Sequence, residues 1–267
     1  MCATCGCGTD TATIGAVHGH GDLVHSHEHH DHDHHHHHDD APAAARTISL
    51  EQDILAKNKL LAERNRGWFA GREVFAVNIM SAPGAGKTSI LERTIRDLHR
   101  TVPIAVLEGD QATSADAERI RAAGAPVVQI NTGTGCHLDA HMVAHGLKHL
   151  APPRGSLLLI ENVGNLVCPA LFDLGEQARV VVVSVTEGDD KPLKYPHMFR
   201  AGEMLLINKI DLLAHVRFDV DRCVAHAHAI NPGLHVELVS AETGEGMQAW
   251  YRWLASRDER SGISAHG

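Results

Sequence analysis

The chain has 267 residues, 43% of them hydrophobic, 21% charged and only 4% aromatic, a balance that supports a globular core and excludes collagen-like, wholly disordered and membrane-embedded classes. No run of about 18 apolar residues occurs, so no spanning helix is expected; MCATCGCGTD lacks the basic start and apolar stretch of a secretory signal, which makes the cytoplasm the expected compartment. The net charge of -9 is uneven: residues 1–45 hold seven Asp/Glu and no Lys/Arg, which leaves -2 for the rest, and a near-neutral body with an acidic tail argues against nucleic acid as a partner.

The chain opens on Cys2, Cys5 and Cys7, a C-x-x-C-x-C cluster with Gly6 and Gly8 for tight backbone curvature. Without a secretory signal, such clustering points to metal rather than to disulfides. Three thiolates beside the terminal amine suit a soft or borderline ion, and a planar arrangement would favour Ni(II) or Cu(II). Twelve of the 23 histidines then fall between His18 and His38, mixed with acids and almost no apolar side chain. This low-complexity run is expected to remain disordered and to bind divalent metals weakly through neutral imidazoles.

Ser49 with Gln52 reads as a capping box, and Ile54, Leu55, Leu60 and Leu61 recur with roughly helical period, so a helix is predicted from Ser49 to near Gly67 or Gly71. Seven short apolar strands follow: 74–80, 103–108, 126–130, 156–161, 179–185, 203–209 and 234–240. Most are separated by helical stretches such as SADAERIRAAG and VDRCVAHAHAI. Strands rich in Val, Ile and Leu that alternate with helices predict an α/β fold with a doubly wound, mostly parallel sheet, whose ligands bind at the carboxyl ends of the strands. The expected organisation is a Cys/His-rich tail (1–45), a linker helix (46–72), a nucleotide-binding domain (73–257) and a short C-terminal tail (258–267).

SAPGAGKTS (81–89) follows the first strand and matches the phosphate-binding loop in its strand–loop–helix context. Gly84, Ala85 and Gly86 are expected to wrap backbone N–H groups around phosphate, with the next helix N-terminus adding positive potential. Lys87 would reach the β- and γ-phosphates, Thr88 would bind Mg²⁺, and Ser89 completes the motif. Ser81 stands at the first motif position, where Gly is usual. NKID (208–211) follows a buried strand. The Asp211 carboxylate can accept the N1–H and 2-amino group of guanine, Asn208 would support the loop, and the Lys209 stem would lie on the base. In SAETGEG, the Ser240 and Ala241 N–H groups would face guanine O6. Together these three elements predict GTP rather than ATP. Glu161, at the end of its strand, suits Mg²⁺ binding, Gly164 a γ-phosphate contact, and Asp110 in EGDQAT lies at the same pole. The nucleotide set Lys87, Glu161 and Mg²⁺ makes slow GTP hydrolysis the expected chemistry, with no water-activating group assigned.

Cys136 and His137 lie at the predicted start of a helix, where a thiol is readily ionised. Adjacent side chains diverge by about 100° on a helix, so both could serve one ion only at a fraying first turn. Cys168 lies seven residues after Glu161. The three make an incomplete tetrahedral or planar set, whose missing ligand could be water or a group from a second subunit. His137, His141, His145 and His149 recur every four residues, either as a solvated or subunit-facing stripe or with His141 extending the metal site. Cys223 is expected to be a small core residue.

Taken together, MCATCGCG, the His-rich tail, SAPGAGKT, EGDQAT, GCHLDA, ENVGNLVCP, NKID and SAETGEG resemble the HypB family, GTPases that insert nickel during maturation of nickel–iron hydrogenase. The resemblance spans almost the whole chain and implies a dimerising P-loop GTPase. It implies that Cys2, Cys5 and Cys7 form a tight nickel site, and that Cys136, His137 and Cys168 form a second site at the dimer interface holding Ni²⁺ or Zn²⁺. The implied partners are a second copy of the chain, joined under GTP or metal, and a zinc- and nickel-binding accessory protein of the HypA type. A nickel metallochaperone that binds His-rich tails and the hydrogenase large-subunit precursor complete the set, with no nucleic acid and no membrane. Two alternatives stand beside this: a urease-type nickel GTPase, whose Cys-Pro-His motif reads Cys168-Pro169-Ala170 here, and a nickel or zinc storage protein with vestigial GTPase activity. The nucleotide and metal sites share the loop from Glu161 to Cys168, so GTP is expected to order that loop and hydrolysis to release it.

Overall fold

The computed structural model describes residues 43–110 and 115–257, with only the backbone described for 43–51. Cys2, Cys5, Cys7, the His-rich run and the 258–267 tail lie outside the described residues. The expected strands form at β1 (Phe75–Ser81), β2 (Ile104–Asp110), β3 (Val127–Asn131), β4 (Leu157–Glu161), β5 (Ala178–Ser184), β6 (Met204–Asn208) and β7 (His235–Leu238). They make one sheet in the order β3-β2-β4-β1-β5-β6-β7, every neighbouring pair parallel. Such strands are covered on both faces, which explains why β1, β4 and β6 are buried along their whole length and read as mostly apolar runs.

Alternation along each strand sorts side chains between two helical layers. Phe75, Val77 and Ile79 face α2 (Lys87–Leu98), α3 (Ala115–Ala123) and α9 (Met247–Arg257), where Ile90, Ile95 and Trp250 are fully buried. On the opposite face Ala76, Leu107 and Ile160 pack with α1 (Ala43–Arg72) and α4 (Ala140–Leu150) through Phe69, Val143 and Leu147. Farther along that face, β5 and β6 pack on α7 (Pro196–Ala201) and α8 (Val220–Ile230), with Cys223 fully buried among them as expected. Two four-residue helices, α5 (Cys168–Leu171) and α6 (Lys191–Lys194), complete the set used below.

The first helix departs from expectation. It runs from Ala43, so Ser49 is interior and is not its N-cap. Three alanines, the strongest helix formers, extend it before the capping-box sequence. Its apolar reading also fails in three of four places: Ile54, Leu55 and Leu60 are exposed, Leu60 by 74%, while Leu61 is half-buried. The buried face is instead Asn58, Ala62, Asn65 and Phe69, at helical spacing, and its two asparagines hydrogen-bond to neighbouring loops.

Candidate functional site

The carboxyl ends of β1, β2 and β4 open into a cavity of about 500 Å³ lined by Lys87, Thr88, Glu108, Asp110, Glu161 and Gly164, among others. Five residues turn the chain from β1 into α2. Gly84 (φ 76°) and Gly86 (φ 97°) take left-handed conformations there, and a Cβ on Gly86 would collide with the Asn208 carboxamide. The phosphate-loop geometry therefore requires glycine at position 86 on two counts. The unusual Ser81 is fully buried, and its hydroxyl accepts a hydrogen bond from Lys87 Nζ at 2.9 Å. The side chain that departs from the motif thus positions the motif's ammonium group.

Strand register sets the acidic wall. Glu161 on β4 stands beside Ile79 on β1 and Glu108 on β2. Thr88 Oγ1 donates to Glu161 Oε1 at 2.7 Å, while Glu161 Oε2 and Glu108 Oε2 are buried with no hydrogen-bond partner. Burial pushes the Glu161 carboxyl up to about 7, against the opposing pull of Lys87 and the Thr88 hydroxyl. Burial, then the charges of Glu161 and Asp110, pushes Glu108 up to about 8. Burial lowers the Lys87 pKa, with Glu161 the largest opposing influence. A hydroxyl and two unsatisfied carboxylate oxygens are a hard, oxygen-only donor set, which fits Mg²⁺. Glu108 escaped the sequence reading, which took only Asp110 from that strand. A carboxylate inside an otherwise apolar strand, two positions from Asp110 and therefore on its face, was the available signal.

The elements expected to bind the base are tied to the phosphate loop. Asn208 Nδ2 donates to Ala85 O at 3.0 Å, and Lys209 Nζ donates to Gly84 O at 2.8 Å from a residue at φ 64°. Asp211 sits in a 3₁₀ turn (Ile210–His215), where Ser240 Oγ donates to its Oδ1. The Ser240 and Ala241 amides are committed differently from the sequence expectation. Ser240 N donates to Glu245 O at 2.9 Å and Ala241 N to Asn208 Oδ1 at 3.2 Å, so this loop orients Asp211 and Asn208 rather than presenting its own N–H groups.

At the other end of the Glu161 loop, Cys136 Sγ lies 3.0 Å from Cys168 Sγ and 3.7 Å from His137 Nδ1. Among the described residues these are the one group of three or more His, Cys, Asp or Glu donors gathered closely enough for one ion, all within 4.8 Å and all half-buried. Burial lowers the His137 pKa against the charge of Asp139, favouring the neutral imidazole that ligates metal, and the ring lies against Phe172. Cys136 and His137 are not on a helix. Asp139 caps α4 by accepting from Met142 N at 2.7 Å, and Leu138 is fully buried, so the pair occupies the bend before the cap. The expected 100° divergence does not apply, and both side chains reach one point. His141, His145 and His149 lie exposed on α4, with the rings of the last two 5.0 Å apart, and none joins the cluster.

Residues 75–237 match the family model described as CobW/HypB/UreG, nucleotide-binding domain. Over 218 residues the chain is 58% identical to hydrogenase maturation factor HypB of Rhizobium leguminosarum bv. viciae, covering 82% of this chain and 73% of that protein. The chain belongs to the HypB family. Solved HypB structures agree. The one from Archaeoglobus fulgidus is 46% identical with a TM-score of 0.71, covering 76% of this chain and 99% of that one. The one from Helicobacter pylori, in complex with nickel, is 34% identical with a TM-score of 0.73, covering 79% and 99%. The resemblance read from the motifs and the expected P-loop GTPase fold are both borne out. The region matched to that family model takes in the residues from Ser81 to Asp211 and stops short of Ser240. No described helix is long and apolar enough to cross a membrane.

Proposed function

We propose that this HypB-family protein hydrolyses GTP and uses the nucleotide state to control nickel handed to the precursor of nickel–iron hydrogenase. The observation that carries the reading is the meeting of Cys136 and Cys168, 3.0 Å apart, with Cys168 on the loop that starts at Glu161. The P-loop amides and Lys87 bind the phosphates. Asp211 reads guanine, held by Ser240, while Asn208 braces the loop. Thr88 and Glu161 hold Mg²⁺, with Asp110 and Glu108 close by, and that ion supplies charge neutralisation on the β- and γ-phosphates. Gly164, whose added Cβ would press on Pro83 at 3.0 Å, brings the loop backbone against the phosphate loop, so a γ-phosphate contact there is felt along the chain to Cys168.

Cys136, His137 and Cys168 bind nickel as cargo, or zinc in its place, and exposed Val167 and Leu171 beside them suit closure by a second copy of the chain. Nickel in the related Helicobacter pylori structure supports the choice of ion. Cys2, Cys5 and Cys7 form a separate tight nickel site, and the His-rich run buffers nickel, in the cytoplasm, for exchange with a HypA-type partner and a metallochaperone. Ala170 offers no imidazole after Cys168-Pro169, which disfavours the urease-type alternative, and the acidic wall around Lys87 disfavours a vestigial GTPase. The test is nickel titration of the protein with GDP and with a non-hydrolysable GTP analogue, beside GTP and ATP turnover. Measurable GTP turnover and unequal nickel affinities are expected; equal affinities in the two states would sink the proposal.

A further inference from the structure

The Glu161 loop explains how Cys168 follows the nucleotide, but two of the three metal donors lie on another segment. One side chain of the pocket reaches that segment directly. Asn162, 1% exposed, directly follows Glu161 and lines the same cavity. Its Oδ1 accepts two backbone hydrogen bonds at 3.0 Å, one from Val163 N in the nucleotide loop and one from Leu138 N, the residue after His137. Its Nδ2 donates to Asn78 Oδ1 at 3.2 Å, and Asn78 Nδ2 donates in turn to Glu176 Oε1. The carboxamide is therefore fixed in orientation and shared between the two segments.

The surroundings make Leu138 a place where movement is transmitted rather than absorbed. Its side chain is fully buried against Gly109, where an added Cβ would come within 2.7 Å of it, so the end of β2 also presses on this residue. Beyond the metal donors, α1 supplies a second anchor. Asn58 accepts from Ala140 N at 2.9 Å and donates to Asp173 O at 2.8 Å, while Asn65 donates to Ala140 O and Leu174 O. These bonds pin the far ends of both donor-bearing segments to one helix. With those ends held, the bond from Asn162 to Leu138 connects Cys136 and His137 to the nucleotide side, beside a second link in which Thr132 bonds to Asp110 O and Gly135 O.

We infer that Asn162 is a positioning residue that couples the nucleotide pocket to the Cys136–His137 half of the metal site; the inference rests on the proposed nucleotide control of nickel. A backbone shift at Val163 alters an acceptor that Leu138 shares, and no solvent is at hand to replace the lost bond. Both halves of the metal site are then driven from the same loop, Cys168 through the chain and Cys136 and His137 through the carboxamide.

The experiment uses the full chain with Cys2, Cys5 and Cys7 changed to Ala, so that nickel–thiolate absorption reports Cys136 and Cys168. Nickel is titrated with GDP and with the GTP analogue for this parent, for Asn162→Ala and for Asn162→Asp. The parent is expected to show an affinity ratio of at least about fivefold between nucleotide states, the low end of ordinary coupling. Asn162→Ala should bring that ratio to within about twofold of unity. Asn162→Asp keeps the acceptor for Leu138 and Val163 but sets a carboxylate oxygen against Asn78 Oδ1, so an intermediate ratio is expected. If the alanine variant fails to fold, Asn162→Leu, which keeps the volume but removes the acceptor for Leu138 and Val163, carries the test, and a full ratio there would overturn the inference. An unchanged ratio in Asn162→Ala overturns it, as does equal weakening in both states, which would make the residue merely structural. A parent with no ratio overturns the underlying reading instead, so the two failures are distinguishable.

Discussion

The nucleotide pocket and the Cys136–His137–Cys168 cluster are joined by one loop and differ in how much of each is held by the protein itself. At the pocket, Lys87 is buried and bonded to Ser81, Thr88 is bonded to Glu161, and Asn208 and Lys209 brace the phosphate loop from across the sheet. At the cluster, two half-buried donors from the bend before α4 meet a third at the first residue of α5, and the flanking Val167 and Leu171 are 46% and 51% exposed. A pocket so cross-braced is a fixed reference, whereas a cluster built where a bend meets the start of a four-residue helix changes geometry with small backbone shifts. That asymmetry suits a device in which a phosphate sets the position and a metal reads it.

The sharpest way to break the comparison is to disable one pole and watch the other. Lys87→Ala removes the buried cation and leaves Glu161 and Glu108 unneutralised. GTP turnover is expected to fall about 10²- to 10³-fold, as for other preorganised charge-stabilising groups. Nickel affinity at the cluster without nucleotide should stay within about twofold, because in this reading α1 and Asn162 hold that site. Parallel loss of both in nickel titration and turnover assays would show that the poles do not separate. The reciprocal change, Cys168→Ser in the chain lacking Cys2, Cys5 and Cys7, should weaken nickel at least about 10- to 100-fold, the range for lost supporting groups. GDP affinity measured on the same protein should be unchanged.

The two poles were unequally legible in the sequence for the same reason that they differ physically. Pocket residues sit at strand ends inside short local motifs, so Lys87, Thr88 and Asp211 could be placed from spacing alone. The seven strands were legible because each is buried on both faces. The cluster needed tertiary contacts: nothing local to GCHLDA shows that Leu138 plunges into the core and frees Cys136 and His137 from the helix. The first helix misled because its buried face carries Asn58 and Asn65, polar residues that satisfy backbone groups of other segments, while Ile54, Leu55 and Leu60 face outward. Apolar periodicity cannot register a face that packs through amides. Glu108 and Asn162 share that lesson, since buried polar groups acquire meaning only from what lies opposite them.

A smaller effect sharpens the electrostatic side of the contrast. Without nucleotide, the folded protein holds the Glu108 proton up to about pH 8, well above the ordinary carboxylate value of 4.5. The folded state therefore binds that proton more tightly than the unfolded chain. The stabilisation is full below about pH 4.5 and is lost as pH rises through about 8. Glu108→Gln mimics the protonated form, so it should melt like the parent near pH 5 and several degrees higher near pH 9, at about 2–4 °C per kcal/mol for a domain of this size. Thermal unfolding across that range, without nucleotide, checks the sign; a parent that is more stable at high pH would refute the buried, unpartnered carboxylate.

The least effect is expected where the sequence offered its most conspicuous repeat. His141 lies in the first turn of α4, just after the Asp139 cap, and its side chain is exposed. Steps of four residues advance about 40° beyond a full turn, so His141, His145 and His149 drift along the solvent face instead of converging. The donors that do converge, Cys136 and His137, precede the cap, on the other side of the buried Leu138. His141→Ala should thus change nickel affinity at the cluster by less than about twofold in either nucleotide state. A tenfold loss confined to the GTP-analogue state would carry the metal site onto α4 and give the exposed stripe a role in closing it, against the placement of its rings in the single chain.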